Sequence, residues 1–284
     1  MQVCATKSEF RRFLDDTRAA GRTVGLVPTM GALHAGHRSL MEAASAECDV
    51  VALTIFVNPL QFAPTEDLSK YPRPIERDLE LAEAAGVGVV FTPTVEEMYP
   101  VPTATTVHLD GLTAPMEGAA RPTHFDGVTT VVTKLFNIAG PCRAYFGEKD
   151  FQQLAVVRRM AADLDQPVEV VPSPIIREAD GLAMSSRNIY LSIEDRAAAL
   201  VLYRSLLAAS ELISAGERRA SVVAAQLAAD IASEPRAALE YAEVVDPLTL
   251  EPLDLLDVGT DVRLIVAARF ATTRLLDNLG VRAS

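Results

Sequence analysis

Short apolar runs alternate with longer helix-compatible stretches through the first part of the chain, and this alternation constrains the fold more than any other feature. The runs have the length of strands and lie at residues 23–27, 50–57, 87–91, 144–146 and 168–171. Such alternation indicates βαβ units with a parallel sheet covered by helices on both faces, so we predict an α/β fold. Ligands bind such sheets beyond the carboxyl ends of the strands, which makes the polar residues after each run the functional candidates.

The last third of the chain has a different composition and a different pattern of apolar residues. Residues 195–235 are rich in Ala and Leu, which predicts two helices broken around Gly216. Two strand-like runs follow at 241–245 and 262–267, with a proline-containing turn region between them. This pattern indicates a second, smaller α+β domain.

Charge and cysteine content exclude several classes of protein, such as nucleic-acid-binding and disulfide-rich proteins. The 284 residues include 26 Lys and Arg and 38 Asp and Glu, and the resulting net charge of -12 argues against a nucleic-acid or membrane-surface partner. The chain starts without the basic segment and apolar run of a signal peptide, and apolar runs such as 50–57 are too short to span a membrane. Cys4, Cys48 and Cys142 form no C-x-x-C pair. We therefore expect a cytoplasmic protein without a disulfide framework.

Two histidines follow the first predicted strand, in the sequence PTMGALHAGH at residues 28–37. His34 and His37 are one turn apart where a helix begins, and a helix N-terminus binds anions through its unpaired N–H groups and its dipole. Gly31 and Gly36 allow the backbone to approach a triphosphate closely. Capping or surface histidines are one alternative. A zinc site is another, although no third ligand lies nearby in the sequence.

Further candidates follow the later strands. Gln61, in NPLQF after the second run, can donate and accept hydrogen bonds, as recognition of a hydroxy-carboxylate requires. Lys149 lies just past Gly147 and can reach a phosphate as a point charge; a solvated Lys-Asp surface is the alternative. Ser185, Ser186 and Arg187 suit the oxygens of a departing pyrophosphate, because Arg makes paired charge-assisted hydrogen bonds. A helix-capping Ser-Ser turn is the alternative there.

Taken together, these motifs resemble the pantothenate synthetase family, a branch of the nucleotidyltransferase superfamily that carries an H-x-G-H motif. The matching stretches occur in the family's order and are residues 28–37, 58–62, 121–128, 146–154 and 177–188. The resemblance implies a Rossmann-like parallel-sheet N-terminal domain that binds ATP and pantoate, and a smaller α+β C-terminal lid. It also implies a homodimer. We place the two domains at residues 1–188 and 189–284.

The resemblance also implies roles for some of the motif residues. His34, His37, Lys149 and the segment Ser185, Ser186 and Arg187 would stabilise the transition state. Gln61 and Gln153 would hold pantoate, with Gln61 also near β-alanine. The residues expected to line the ATP site are Met30, Gly31, Ala32, Leu33, His34, Ala35, Gly36, His37, Gly147, Glu148, Lys149, Asp150, Ile176, Met184, Ser185, Ser186 and Arg187.

The activity expected from the resemblance is the ATP-dependent condensation of pantoate with β-alanine through pantoyl adenylate, with release of AMP and pyrophosphate. Mg²⁺ would bridge the phosphates, largely through water and substrate oxygens; the sequence identifies no protein ligand for it. A rival enzyme is a nucleotidyltransferase that leaves AMP or CMP on a phosphorylated acceptor. A non-catalytic nucleotide sensor is a rival of another class, and the joint presence of both histidines, Lys149 and the Ser-Ser-Arg segment disfavours it.

Overall fold

Six parallel strands form the central sheet of the N-terminal part in the computed structural model, which describes residues 1–62 and 68–283. The order across the sheet is β1-β4-β3-β2-β5-β6. The strands are β1 (Gln2–Cys4), β2 (Val24–Thr29), β3 (Val50–Ile55), β4 (Val89–Phe91), β5 (Cys142–Gly147) and β6 (Val168–Ser173). The predicted α/β class is confirmed. β1 was not predicted, since it is three residues long and pairs only with β4 at the sheet edge.

Helices connect these strands. They are α1 (Lys7–Ala19), α2 (Ala35–Glu47), α3 (Ile75–Ala84), α4 (Val95–Met98), α5 (Glu117–Ala120), α6 (His124–Ala139) and α7 (Phe151–Asp163). The first is fixed by a capping box between Thr6 and Glu9 and buries Phe10 and Leu14 completely. Strand residues such as Leu26 and Leu53 are also fully buried, because helices cover the sheet on both faces.

The strand order identifies the edge of the sheet at which ligands are expected to bind. The chain proceeds from β2 outward through β3 and β4, then returns to add β5 and β6 on the other side of β2. The order therefore reverses between β2 and β5, where doubly wound sheets bind their ligands beyond the strand carboxyl ends. Segments that follow β2, β3 and β5 start from this one edge.

Packing divides the chain into two compact units. One comprises Met1–Glu148 and Gln152–Pro174, and the other Lys149–Phe151 and Ile175–Ser284, of which all but the last residue are described. The second unit contains α8 (Ile193–Ala199), α9 (Val201–Ser214), α10 (Ala220–Ala232) and an antiparallel sheet of β7 (Ala237–Val245), β8 (Asp261–Phe270) and β9 (Thr273–Arg282). The predicted domain boundary at residue 188 stays a prediction.

The second unit confirms the predicted helix break and two predicted strands, and it adds two features. Gly216, at a φ of +103°, separates α9 from α10 as expected. The region before it is itself divided at Leu200 into α8 and α9. β9 was missed because its polar pair Asp277 and Asn278 interrupts the apolar pattern, although both residues are buried.

One helical stretch is longer than the apolar runs visible in the sequence. Within the described residues, Ile193–Ser214 is long and apolar enough to cross a membrane by length and composition alone. Core helices pass the same test, and Leu202, Leu206 and Ile213 of this run pack in the apolar core of the second unit. Burial in that core accounts for the apolar side chains on one side of this run.

Candidate active site

His34 and His37 form a reciprocal cap at the start of α2, directly beyond the central strand β2. The His34 Nδ1 accepts the Gly36 N–H at 3.1 Å, and the His37 Nδ1 accepts the His34 N–H at 3.3 Å. The two ring centroids are 4.1 Å apart. The capping role that we considered as an alternative is therefore present in the geometry. It also fixes the direction in which each ring faces.

This cap determines which ring nitrogen carries hydrogen. An Nδ1 that accepts a backbone N–H cannot itself be protonated, so the neutral imidazole carries its hydrogen on Nε2. Both rings are therefore held as Nε2–H donors at a helix N-terminus, where the dipole favours an anion. Phosphate oxygens are suitable acceptors for such an arrangement.

The loop before the histidines is held by Asp78 of α3, which sequence reasoning missed. Its carboxylate is 1% exposed and accepts the N–H groups of Ala32 and Leu33, both at 2.8 Å. Gly31 has a φ of +83°, and a Cβ there would lie 2.9 Å from Asp78 Oδ2. Gly31 is thus required by both conformation and space. Asp78 acts as a buried anchor for the loop from Met30 to Leu33.

Gln61 lies in a buried amide network after β3. Asn58 donates through Nδ2 to the Gln61 Oε1 at 3.0 Å and to the Gly127 carbonyl at 3.0 Å. Its Oδ1 accepts from the Tyr99 hydroxyl at 2.9 Å and the Leu60 N–H at 3.3 Å. Burial raises the pKa of Tyr99 to about 12, so its hydroxyl remains a donor at neutral pH. The network fixes the Gln61 amide, because its Oε1 already accepts from Asn58 while its Nε2 is a donor.

The RPTHFDG motif, residues 121–127, contacts and stabilises the turn that contains Gln61. The Gln61 carbonyl accepts from Arg121 Nη2 and from His124 Nδ1, each at 3.1 Å. A Cβ at Gly127 would lie 2.2 Å from the Leu60 carbonyl oxygen, so α6 approaches this turn closely only because residue 127 is glycine. The motif thus holds the Gln61 backbone in place.

Gln153 lies in the first turn of α7, which follows β5 on the other side of β2. It is partly exposed, whereas its neighbour Gln152 is 4% exposed and accepts from the Glu117 N–H. The Gln152 amide also donates to the carbonyls of Leu112 and Pro115, at 2.9 Å each. Gln152 is therefore used structurally, and Gln153 is the glutamine of the pair that has the exposure a ligand contact needs.

Lys149 lies in a 3₁₀ turn, Glu148–Asp150, that follows Gly147 at the end of β5. Its side chain is only 18% exposed, and its Nζ lies 3.6 Å from the Asp150 carboxylate. This degree of burial differs from the fully solvated Lys-Asp surface considered as the alternative. In the second unit, the Lys149 carbonyl accepts from Asn278 Nδ2 at 2.9 Å.

Ile176 and Met184 close a small hairpin in the second unit. The Met184 N–H donates to the Ile176 carbonyl at 2.9 Å, and Arg177 pairs with Ala183 as an antiparallel bridge. Gly181 makes the tight turn at a φ of +97°. The hairpin therefore fixes the backbone position at which residues 184–187 begin.

The Ser-Ser-Arg segment begins a 3₁₀ helix, Ser186–Tyr190. The Ser185 Oγ accepts the Arg187 N–H at 3.2 Å, so the capping alternative describes part of its role. Two nearby arginines are committed to carboxylates, since Arg177 pairs with Asp277 and Arg196 pairs with Glu178 and Asp180. The Arg187 side chain is exposed, and its guanidinium has no ion pair within residues 1–62 and 68–283.

The predicted ATP-site residues thus fall into two groups. Met30 to His37, Gly147 and Glu148 belong to the first unit, together with both candidate pantoate residues, while Lys149, Asp150, Ile176 and residues 184–187 belong to the second. In the described part of the chain, no group of three or more His, Cys, Asp or Glu side chains is placed to hold a metal ion.

Comparison with known proteins covers almost the whole chain. The family model for pantoate–β-alanine ligase matches residues 2–280. The pantothenate synthetase of Chloroflexus aggregans is 54% identical over 98% of this chain and 99% of its own. The crystal structure of the Thermus thermophilus pantothenate synthetase superposes with a TM-score of 0.92 at 50% identity, covering 98% of this chain and 99% of that one.

A more distant relative has been solved with ligands. It is the Francisella tularensis pantoate–β-alanine ligase, complexed with Beta-gamma ATP and β-alanine. It is 29% identical, with a TM-score of 0.80 and coverage of 98% of this chain and 97% of that one. The chain belongs to the pantoate–β-alanine ligase family.

Proposed function

We propose that this ligase forms pantothenate in two half-reactions, using ATP in the first and β-alanine in the second. In the first, a pantoate carboxylate oxygen attacks the α-phosphorus of ATP, and the bond to pyrophosphate breaks. In the second, the uncharged amine of β-alanine attacks the acyl carbon of pantoyl adenylate. The bond to AMP breaks, and the amine nitrogen gives up a proton. Family membership makes the protein an ATP-dependent ligase of pantoate and β-alanine; the order of steps and the residue roles are the proposal.

The reciprocal cap of His34 and His37 carries this proposal. Negative charge grows on the phosphoryl oxygens as the α-phosphorus is attacked, and donors already in place stabilise that charge without reorganisation. Both histidines are held with Nε2–H as donor, at the edge of the sheet where ligands bind. Neither needs to act as a base in the first step, because the pantoate carboxylate is already a nucleophile.

The other roles follow from charge and exposure. Lys149 and Arg187 are cations suited to the β- and γ-phosphates, and Ser185 and Ser186 add hydroxyl donors to the departing pyrophosphate. Gln61, with its Oε1 occupied by Asn58, donates through Nε2 to pantoate, and Gln153 supplies a second amide. The remaining residues of the predicted ATP site contribute mainly backbone and shape; they are Met30, Gly31, Ala32, Leu33, Ala35, Gly36, Gly147, Glu148, Asp150, Ile176 and Met184.

We propose that Mg²⁺ enters with ATP as part of the substrate, because Mg²⁺ keeps several waters and takes phosphate oxygens readily. A homodimer and a cytoplasmic location are also proposed. The homodimer rests on the resemblance to the family. The location is supported by three cysteines that are all free thiols, as a reducing compartment would keep them.

Oxygen transfer tests the first half-reaction. Pantoate labelled with heavy oxygen in its carboxylate should deliver one labelled oxygen to AMP in each turnover, because the attacking oxygen stays on phosphorus when the amide forms. Mass spectrometry of the AMP and pyrophosphate measures this. Label in pyrophosphate or orthophosphate, or unlabelled AMP, would contradict adenylation of the pantoate carboxylate.

A further inference from the structure

The edge strand β9 carries two adjacent buried polar residues that no catalytic role so far uses. Asp277 and Asn278 are 2% and 1% exposed. Burying a carboxylate and an amide is costly unless their hydrogen bonds are made. Their partners in the second unit are the two segments that carry the candidate phosphate-binding groups.

Asp277 anchors the hairpin through Arg177. The Arg177 guanidinium donates to both carboxylate oxygens of Asp277, at 2.6 and 2.9 Å, and lies 3.7 Å from the ring centroid of Tyr203. It also donates to the Gly181 carbonyl at 3.1 Å. One arginine therefore connects the start of the hairpin, its turn and β9. Such a paired, stacked guanidinium defines both position and orientation.

Asn278 anchors the other segment. Its Nδ2 donates to the Lys149 carbonyl at 2.9 Å, which fixes the backbone from which the Lys149 side chain extends. Two residues on, the Phe151 ring lies 3.7 Å beneath the Arg263 guanidinium of β8. Gly280 of β9 opposes Arg263, and a Cβ there would lie 2.7 Å from Arg263 Nη1. The absence of a side chain at residue 280 thus leaves room for that arginine.

We propose that Asp277 and Asn278 are positioning residues for the adenylation step. Asn278 sets the position of Lys149, and Asp277, through Arg177, sets the position of the segment that carries Arg187. Because the two residues are neighbours on one strand, β9 fixes the spacing between two cations that the same triphosphate must meet. The inference rests on the proposed roles of Lys149 and Arg187.

Coupling between substitutions tests the inference. Asn278→Ala should slow single-turnover adenylation roughly 10-fold, since small displacements of a positioned group are costly in rate. In a Lys149→Ala background the same change should cost less than about 2-fold, because the group it positions is gone. Glu240→Gln is the matched control, as it breaks ion pairs to Arg269 and Arg274 in the same sheet and should leave adenylation unchanged.

A second pair of variants tests the role of Asp277, which acts through Arg177. It uses a conservative substitution, which is less disruptive to folding. Arg177→Lys keeps a positive charge beside Asp277 but loses the paired geometry. It should slow adenylation in the parent and have little further effect in an Arg187→Ala background.

Equal losses in both backgrounds, for either Asn278→Ala or Arg177→Lys, would overturn the inference. If Asn278→Ala has no effect while Lys149→Ala slows adenylation, the inference alone fails. If Lys149→Ala is itself without effect, the proposed role of Lys149 fails, and the inference fails with it.

Discussion

Replacing Arg187 with alanine is expected to slow formation of pantoyl adenylate by about 10²-fold, the scale set by loss of a single preorganised transition-state donor. Arg187 has an exposed guanidinium without an ion pair in the described part of the chain, whereas Arg177 and Arg196 are held by carboxylates. In the proposed reaction, pyrophosphate leaves only in the first half-reaction. The variant should therefore convert supplied pantoyl adenylate and β-alanine to pantothenate at near the parent rate.

Single-turnover measurement of the two half-reactions separates this role from general damage. Ser186→Ala should show the same selectivity. Arg159→Ala is a suitable control, because Arg159 is an exposed arginine on α7 whose ion pair is with Asp163 of the same helix. The variants should keep the parent melting temperature. Equal slowing of both half-reactions in a well-folded Arg187→Ala enzyme would contradict the assignment and indicate a segment that serves the whole reaction.

Replacing Gln61 with alanine is expected to weaken pantoate binding by roughly 10- to 10²-fold, as loss of hydrogen bonds to a charged ligand costs about 1.5–3 kcal/mol. ATP binding should change far less. Asn58→Ala should produce a similar selective loss, because Asn58 is the residue that orients the Gln61 amide. Gln153→Ala should also weaken pantoate more than ATP.

Titration calorimetry with each substrate measures these affinities. Gln226→Ala offers a matched glutamine control, since Gln226 is exposed and its amide donates to its helix neighbour Asp230. Asn58 is fully buried, so its variant needs a melting-temperature check beside the binding data. A comparable loss of ATP and pantoate affinity would show that the defect is structural.

The local part of the site could be predicted from the sequence. The H-x-G-H motif follows an apolar run and begins a helix, so the strand and the histidine cap depend on residues close together in the chain. The donor role of the histidines remains a proposal. The alternation of short apolar runs likewise predicted the parallel sheet, because strands buried on both faces are apolar throughout. These features need no knowledge of distant contacts.

The long-range contacts around the candidate site could not be predicted in this way. Asp78 resembles any acidic residue in the first turn of a helix, and its bonds to the loop at Ala32 and Leu33 join residues far apart in sequence. Asp277 and Asn278 reach partners 100 and 129 positions away. Only the fold brings these residues together with their partners. The proposed roles of the predicted site residues remain predictions.

Labelled pyrophosphate exchange tests the central claim, that an acyl adenylate forms before the amide bond, most directly. With ATP, Mg²⁺ and pantoate, and without β-alanine, the enzyme should incorporate labelled pyrophosphate into ATP. Exchange should disappear when pantoate is omitted, and a series of other carboxylic acids should support it less well. Exchange that requires β-alanine, or that proceeds without any carboxylic acid, would contradict the account.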